Sequence, residues 1–524
     1  MDLSIGTITL MAIPAVASLL MLAFPSKITA RWVYETIHIL SVLSVCCLGI
    51  YLVLQVVLNN ESIFALGNWF HLDALSAVFV FLIGVIGLLA GWYSLTYIRH
   101  DEQVGNLNPS QIKQYYIFFN LFIFTMLVVT LSNNIIMMWV GIEATTLATV
   151  FLVGAYNTKS SLMAAWKYII ICTVGVAFGL YGTLIIYANA ASVMTDHVNA
   201  VFWTSLMPYA TQFDAMLIQI AFVFVVIGFG TKAGLFPMHT WLPDAHSEAP
   251  SPVSALLSGV LLKCAMLVVI RFYILAIDAV GPMFPQTILL VIGILSIVVA
   301  AFSVFRQKDV KRMLAYSSCE NIGVVALCLG FGGPLGIAAA LIHIVVHGFT
   351  KALLFCLSGN ILIKYGTRDL SKITGMLRAA PITAVLLFVG LFAVSGFPPF
   401  AMFISELLAM VSGVVTHNIW IVVIMGLALT VVIAAFVRVI AKSVFGTPGE
   451  NVKKGDLGFF SLLPQILMVA VILWFGVAMP QPFLKGIDSA TAIVMQKEGS
   501  VLYDTPVFDK LLNLPAQSDQ ASSE

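Results

Sequence analysis

The chain has 524 residues, 60% of them hydrophobic and only 9% charged, with a formal net charge of +1. A chain this apolar cannot cover a soluble surface with polar groups, and so small a net charge raises no field that would recruit nucleic acid. Its repeated apolar runs of roughly 20 residues indicate instead a polytopic helical protein with the lipid bilayer as solvent.

Fourteen spans are predicted, beginning near residues 4, 34, 73, 114, 133, 164, 215, 251, 286, 313, 335, 380, 418 and 458. The first, "MDLSIGTITLMAIPAVASLLMLAF", lacks a basic leading segment and is followed by further spans, so it reads as a retained helix rather than a cleaved signal. The seventh is interrupted near Pro237 and the twelfth near Pro398 and Pro399. The predicted fold class is all-α. Spans one to three lie in 1–110, a five-helix unit of spans four to eight in 111–276, a second five-helix unit of spans nine to thirteen in 285–445, and span fourteen in 456–480, before a polar tail over 497–524. The seven cysteines sit in apolar runs with no CxxC pair, which argues against a disulfide framework, a zinc site or an iron–sulfur site.

Basic residues choose an orientation. Arg306, Lys308, Lys311 and Arg312 precede span ten, and Lys364, Arg368, Lys372 and Arg378 precede span twelve. Lys453, Lys454, Lys27, Arg31, Arg99 and Lys159 fall on the same side, whereas loops 191–214 and 277–285 contain no Lys or Arg. The positive-inside rule places the basic loops in the cytoplasm and both termini outside. A weak internal repeat accompanies this. "EATTLATVFLVG" from Glu143 resembles "ENIGVVALCLG" from Glu320, and "KAGLFPMHTW" from Lys232 resembles "VSGFPPFAMF" from Val394. The copies are five spans apart, an odd number, so their topologies are opposite. Inverted repeats with broken helices mark ion-transport folds.

An ionised side chain at the centre of a span costs about 2.5–3.5 kcal/mol. Glu143, Lys167, Lys232, Lys263, Glu320, His343, His347, Lys351 and Glu406 nevertheless lie in or near apolar spans. Glu143 is too deep to snorkel, and an ion pair with Lys232 would offset both charges and couple their protonation. Lys263 lies well inside span eight, where the bland alternative is a snorkelling lysine. His343, His347 and Lys351 are spaced i, i+4, i+8 and share one helix face. With no third ligand beside the two histidines, that face reads as a polar, water-holding stripe rather than a metal site, and imidazole suits proton relay. Glu406 follows the second break. Lys167 and Glu320 are shallower, and structural pairing competes with function there. His239, Asp244, His246 and Glu248 cap or line the segment after the first break.

These residues carry a family resemblance. "GTKAGLFPMHTWLPDAHSEAPSPVSALLSGVLLK" (230–263) is similar to the most specific segment of the antiporter-like proton-translocating subunits shared by respiratory complex I, multisubunit cation/proton antiporters and membrane-bound hydrogenases. "IEATTLATVFLVGAY", "AAWKYIIICTVGVAFGLYGT" and "KYGTRDL" look most like the hydrogenase-4 component F branch. The resemblance covers nearly the whole chain. It implies fourteen helices, the inverted repeat, and proton transfer through Glu143, Lys232, Lys263, the segment His343, His347 and Lys351, and Glu406. Lys167, His239, Asp244, His246, Glu248 and Glu320 remain accessory candidates. Met163 stands where relatives often carry glutamate, which leaves Lys167 without a neighbouring carboxylate. The chain also ends soon after span fourteen, without the long lateral helix of the largest complex I member. The implied partners are other membrane subunits and a peripheral redox arm, in the inner membrane of a cell, with protons or sodium as the moving ion. No cofactor and no catalytic redox centre are expected in this chain. Two other readings stand beside this one: a cation/proton or bicarbonate-linked transport module without a redox arm, and a non-pumping assembly scaffold.

Overall fold

The structure is a computed structural model that describes residues 2–25, 30–450, 452–503 and 505. Lys27 and most of the 497–524 tail lie outside the described residues. Seventeen long helices follow one another: α1 (Leu3–Ala23), α2 (Arg31–Asn59), α3 (Ala74–Gln103), α4 (Pro109–Leu131), α5 (Ile135–Val153), α6 (Lys159–Val193), α7 (Ala215–Ala233), α8 (Trp241–Glu248), α9 (Ser251–Val280), α10 (Met283–Arg306), α11 (Val310–Phe331), α12 (Gly333–Tyr365), α13 (Pro381–Val394), α14 (Ala401–Val415), α15 (Ile419–Ser443), α16 (Phe459–Val477) and α17 (Gln481–Met495). Thirteen helical stretches are long and apolar enough to cross a bilayer, α7 and α8 counting as one. Two shorter apolar helices, α13 and α14, form the interrupted twelfth span. The fold is that of a polytopic all-α membrane protein.

Polar caps set several helix starts. Asp73 accepts from the Ser76 amide, Asn108 closes a capping box with Gln111, and Asn134 accepts from the Ile136 and Met137 amides. Both interruptions are built alike. α7 ends at Gly234 (φ 87°) and α13 runs out at Gly396 (φ 66°). Past each glycine a backbone amide reaches back five residues, Leu235 to Gly230 and Phe397 to Phe392, the signature of a Schellman stop. Prolines then follow within three residues, at Pro237 and at Pro398 and Pro399.

Burial separates two kinds of span. α9 and α12 are buried throughout their apolar windows, and α11 is 94% buried. α15 is only 33% buried and α10 only 39%. The inner helices are therefore solvated by protein, and the outer ones leave apolar faces for lipid or partner subunits. Close approach between α6 and α7 depends on small residues: a Cβ on Gly228 would lie 2.2 Å from the Gly179 amide nitrogen.

Two elements add to the expected all-α architecture: a short hairpin and one further helix. Ile63–Ala65 (β1) pairs antiparallel with Phe70–Leu72 (β2), with Ile63 opposite Leu72 and Phe64 opposite His71. Strands of three residues are too short to show alternation, and the turn depends on left-handed φ at Leu66 and Gly67. α17 was also unforeseen, because its sequence lacks a long apolar run.

The hairpin leads into the most deeply buried ion pair among the described residues. Arg271 on α9 grips Asp73 bidentately (2.8 and 2.7 Å) and Ser76 Oγ (2.9 Å), with its guanidinium 4.6 Å from the Trp203 ring centre. Burial alone would raise the Asp73 carboxyl; the Arg271 guanidinium overrides it and holds the group well below the usual carboxylate range. The pair's contribution is thus complete above about pH 4 and is lost only as pH falls below that through the folded-state value. Asp73→Ala, which strands a buried guanidinium, should cost about 3–5 kcal/mol at neutral pH. Denaturant unfolding of the detergent-solubilised protein measures this, and a loss under about 1 kcal/mol, the range of an exposed pair, would contradict the assignment.

Candidate functional site

Lys232 occupies the last turn of α7, fully buried. Its ammonium donates to Thr146 Oγ1 (2.8 Å) and to the Tyr168 hydroxyl (2.5 Å), which in turn contacts Thr149 Oγ1 at 2.5 Å. The rings of Tyr168 and Trp241 lie 4.6 and 5.8 Å from it, close enough for cation–π attraction. At the break the Thr231 carbonyl accepts from the Gly234 amide at 3.2 Å and from the Trp241 indole at 2.9 Å.

The expected ion pair between Glu143 and Lys232 does not form. Glu143 is only partly buried; one carboxylate oxygen accepts from Thr173 Oγ1 at 3.0 Å and the other is enclosed without a partner. Lys232 is taken up by Thr146 and Tyr168, whereas Glu143, one turn before Thr146, is turned to Thr173 of α6.

Lys263 lies just past a π-helical turn at Leu257–Leu261. Its ammonium donates to the Ser258 carbonyl within that turn. A π turn shifts the hydrogen-bond register, which exposes such a carbonyl. Ser258 Oγ meets Ser318 Oγ of α11 at 2.7 Å. Lys351 of α12 donates to the Leu314 carbonyl (3.1 Å) and to Ser317 Oγ, both on α11. Asn321 continues the same face, donating to the Ser317 carbonyl (2.6 Å) and to Glu320 (2.5 Å). Its oxygen therefore accepts from His343 Nε2 at 3.1 Å, and His343 Nδ1 meets Ser405 Oγ at 3.0 Å. Glu406 is the next residue, 7% exposed.

One stretch of α11, "LAYSSCEN", thus links Lys263, Lys351, Glu320 and His343 to the start of α14. Lys232 with Thr146, Tyr168 and Thr149 forms a separate cluster with no direct hydrogen bond to it among the described residues. His347 is fully buried, stacked on His343 at 5.8 Å, and both its ring nitrogens lack partners. Among the described residues Lys232, Lys263 and Lys351 make no ion pair; each is held only by neutral oxygens.

The accessory candidates divide. Asp244 binds Lys167 (3.2 Å) and Arg312, and Glu248 binds Arg368 (3.0 Å) and Ser160 (3.0 Å). Lys167 is 56% exposed on the outer flank, outside the buried cluster. His239 and His246 turn inward: His246 is fully buried against Phe355 (4.8 Å) with both ring nitrogens unpartnered. The residues that sequence reasoning missed are Thr146, Tyr168, Ser258, Ser317, Ser318, Asn321 and Ser405. For Ser317, Ser318 and Asn321 the visible signal is "YSSCEN" (316–321), a polar run in an apolar span; the other four carry none.

Comparison with known proteins places this architecture. The family described as the NADH:quinone oxidoreductase/Mrp antiporter transmembrane family matches residues 132–433, and one described as the complex I chain 5 N-terminus matches 62–106. The chain belongs to the first of these, the antiporter-like membrane subunits of complex I, Mrp and hydrogenase complexes, a proton-translocating family. Within it, the chain is 38% identical over 346 residues to the hydrogenase-4 component F homolog of Methylacidiphilum infernorum, covering 66% of this chain and 73% of that one. It is 31% identical to hydrogenase-4 component B of Escherichia coli (64% of this chain, 49% of that one) and 30% identical to NADH-quinone oxidoreductase subunit N of Desulforudis audaxviator (64% of each). Matched regions thus span about half of component B and under two thirds of subunit N. The fold is shared with a chain of the archaeal membrane-bound sulfane sulfur reductase (TM-score 0.83, 22% identity, 97% of this chain, 99% of that one). It is shared equally with a chain of respiratory complex I from Thermus thermophilus (TM-score 0.78, 22% identity, 94% and 100%). Those structures are multisubunit membrane complexes, and this chain is a multi-pass membrane protein of the same kind.

Gly396 offers a local test. A Cβ there would stand 2.0 Å from a Glu406 carboxylate oxygen, and the positive φ already disfavours alanine by about 1–2 kcal/mol. Gly396→Ala should displace the carboxyl of Glu406. The infrared carboxyl band assigned by difference against Glu406→Gln should shift, and an unmoved band would show that the carboxyl is not seated on Gly396.

Proposed function

We propose that this chain carries protons across an inner membrane as one subunit of a redox-driven complex, through Glu143, Lys232, Lys263, His343, His347, Lys351 and Glu406. The observation that carries the reading is the series of buried polar groups, Lys263, Ser258, Ser318, Ser317, Lys351, Asn321 and His343, that leads across α9, α11 and α12 to Ser405, beside Glu406. Such a series supports proton transfer with water closing the gaps between its titratable members, since donor and acceptor must come within about 2.6–3.2 Å directly or through one water. His343 suits the relay because its two nitrogens face different partners. The unpartnered nitrogens of His347 and His246 leave sites for bridging water.

Three buried lysines held by neutral oxygens alone are also a functional arrangement. An ammonium with no counter-ion responds strongly to a change in nearby charge. Glu143, partly exposed on the α5–α6 flank and one helical turn from Thr146, is where a neighbouring subunit would impose that change. Electrons would pass through a peripheral arm contributed by partners. The two five-helix units, 111–276 and 285–445, are read as inverted repeats, supported by the matching Gly–Phe/Leu–Pro stops at 234–237 and 396–399. Lys167, Asp244 and Glu248 are read as structural ion-pair members rather than route residues.

Lys232→Ala and Glu406→Gln should each leave the complex assembled and cut redox-driven proton uptake by inside-out vesicles at least about tenfold, the low side of what positioned proton-transfer groups contribute. Full uptake by both variants, normalised to complex content, would remove the route and favour a scaffold. The basic loops are placed in the cytoplasm and both termini outside. With Cys47 replaced, Ser500→Cys should react with a membrane-impermeant thiol reagent in intact spheroplasts, and Lys372→Cys only after lysis; the reverse pattern would invert the orientation.

A further inference from the structure

At the end of the bundle that bears the basic loops, a cavity of about 190 Å³ opens between α10 and α15. Lys308, Arg438 and Lys442 converge on it with Gln307, and Asp369 is its one acid. None of the three cations makes an ion pair within 4.0 Å among the described residues, so each keeps its charge for a ligand. The Asp369 carboxylate is committed in part to the Ser371 amide at 2.9 Å. Arg438 and Lys442 are four residues apart on α15, a like-charge spacing that an isolated helix disfavours. Loop composition under the positive-inside rule accounts for basic residues at this end. It does not account for three of them from two separate elements lining one cavity.

We infer that this cavity seats the phosphate of an anionic phospholipid whose acyl chains lie along the α10–α15 flank. The flank is apolar and open: Phe302 is 62% exposed, Phe305 46% and Val437 46%. The Arg438 guanidinium lies 5.9 Å from the Phe305 ring centre, so charge and apolar surface meet at the cavity mouth. Arg438 stands five residues before the end of α15, roughly 7.5 Å along the helix axis, which is the depth of a headgroup rather than of bulk solvent. By volume the cavity holds about six waters' worth of space, enough for a phosphate group. Basic pockets between membrane helices bind anionic headgroups in just this way. α15 is the least enclosed of the spans, and a lipid bridging Lys308 to Arg438 and Lys442 would clamp it to α10. A soluble phosphate shares the headgroup's chemistry but has no use for the apolar flank.

The test is native mass spectrometry of the purified complex titrated with cardiolipin, phosphatidylcholine or inorganic phosphate. The wild-type complex should retain at least one more cardiolipin per copy of this chain than the combined Lys308→Ala, Arg438→Ala, Lys442→Ala variant. Phosphatidylcholine should not replace it, and inorganic phosphate should not displace it. Asp369→Asn, which removes the one negative charge and keeps an acceptor for Ser371, should raise retention severalfold, a gain that misfolding cannot produce. Equal cardiolipin retention by the wild type and the triple variant would overturn the site, as would equal retention of phosphatidylcholine. Displacement by inorganic phosphate would reassign it to a soluble anion and overturn the lipid reading. Should the triple variant fail to assemble, Arg438→Gln alone and Asp369→Asn decide by moving retention in opposite directions; no change in either overturns the proposal.

Discussion

The whole structure answers to the cost of placing ionisable groups where water is scarce. An uncompensated charge in hydrocarbon is expensive, so the helices that carry such groups must be surrounded by other helices that supply oxygen atoms in water's place. α9, α11 and α12 are the most completely enclosed spans, and they carry Lys263, Glu320, His343, His347 and Lys351. Their ammonium groups are solvated by Ser258, Leu314 and Ser317 rather than by carboxylates. An ion pair would lower the cost further, but it would also hold each proton in place. Neutral acceptors compensate less and leave the charge free to respond.

The two helix breaks serve the same end. At each, a glycine in a left-handed conformation stops the first half-helix and a proline-containing turn starts the second. Lys232 sits just before the first break and Glu406 just after the second. A stop of this kind leaves the last carbonyls short of partners, and nearby side chains supplement them, as Trp241 adds to the Gly234 amide at Thr231. Outside the buried cluster, Asp244 and Glu248 knit the end of α8 to Lys167, Arg312 and Arg368, so the segment beyond the first break is anchored by surface ion pairs while its histidines point inward.

Much of this was legible before any coordinates. Apolar runs located the spans to within a few residues, and Pro237, Pro398 and Pro399 marked both interruptions. The deep charges stood out because the bilayer penalises them so heavily that few occur by chance. The hairpin Ile63–Leu72 and α17 escaped notice because three-residue strands show no alternation and a half-apolar helix resembles neither a span nor a loop. The serines and Asn321 of α11 were equally quiet, since small polar residues cost little in a membrane helix and raise no alarm in an apolar run.

The residue order by itself determined the number of spans, the places where they break, and which side chains must be hidden from lipid, because each of these follows from local hydropathy and backbone chemistry. It did not determine who solvates whom. Glu143 and Lys232 looked like natural partners, yet the packing gives Glu143 to Thr173 and Lys232 to Thr146 and Tyr168. The series from Lys263 to Ser405 exists only because α9 and α12 present polar faces to one stretch of α11 and α14 meets His343 of α12. The contacts between helices join residues 22 to 62 positions apart, and their geometry is set by how whole helices rotate and cross. That information resides in the packing of the bundle and in no single segment of the chain.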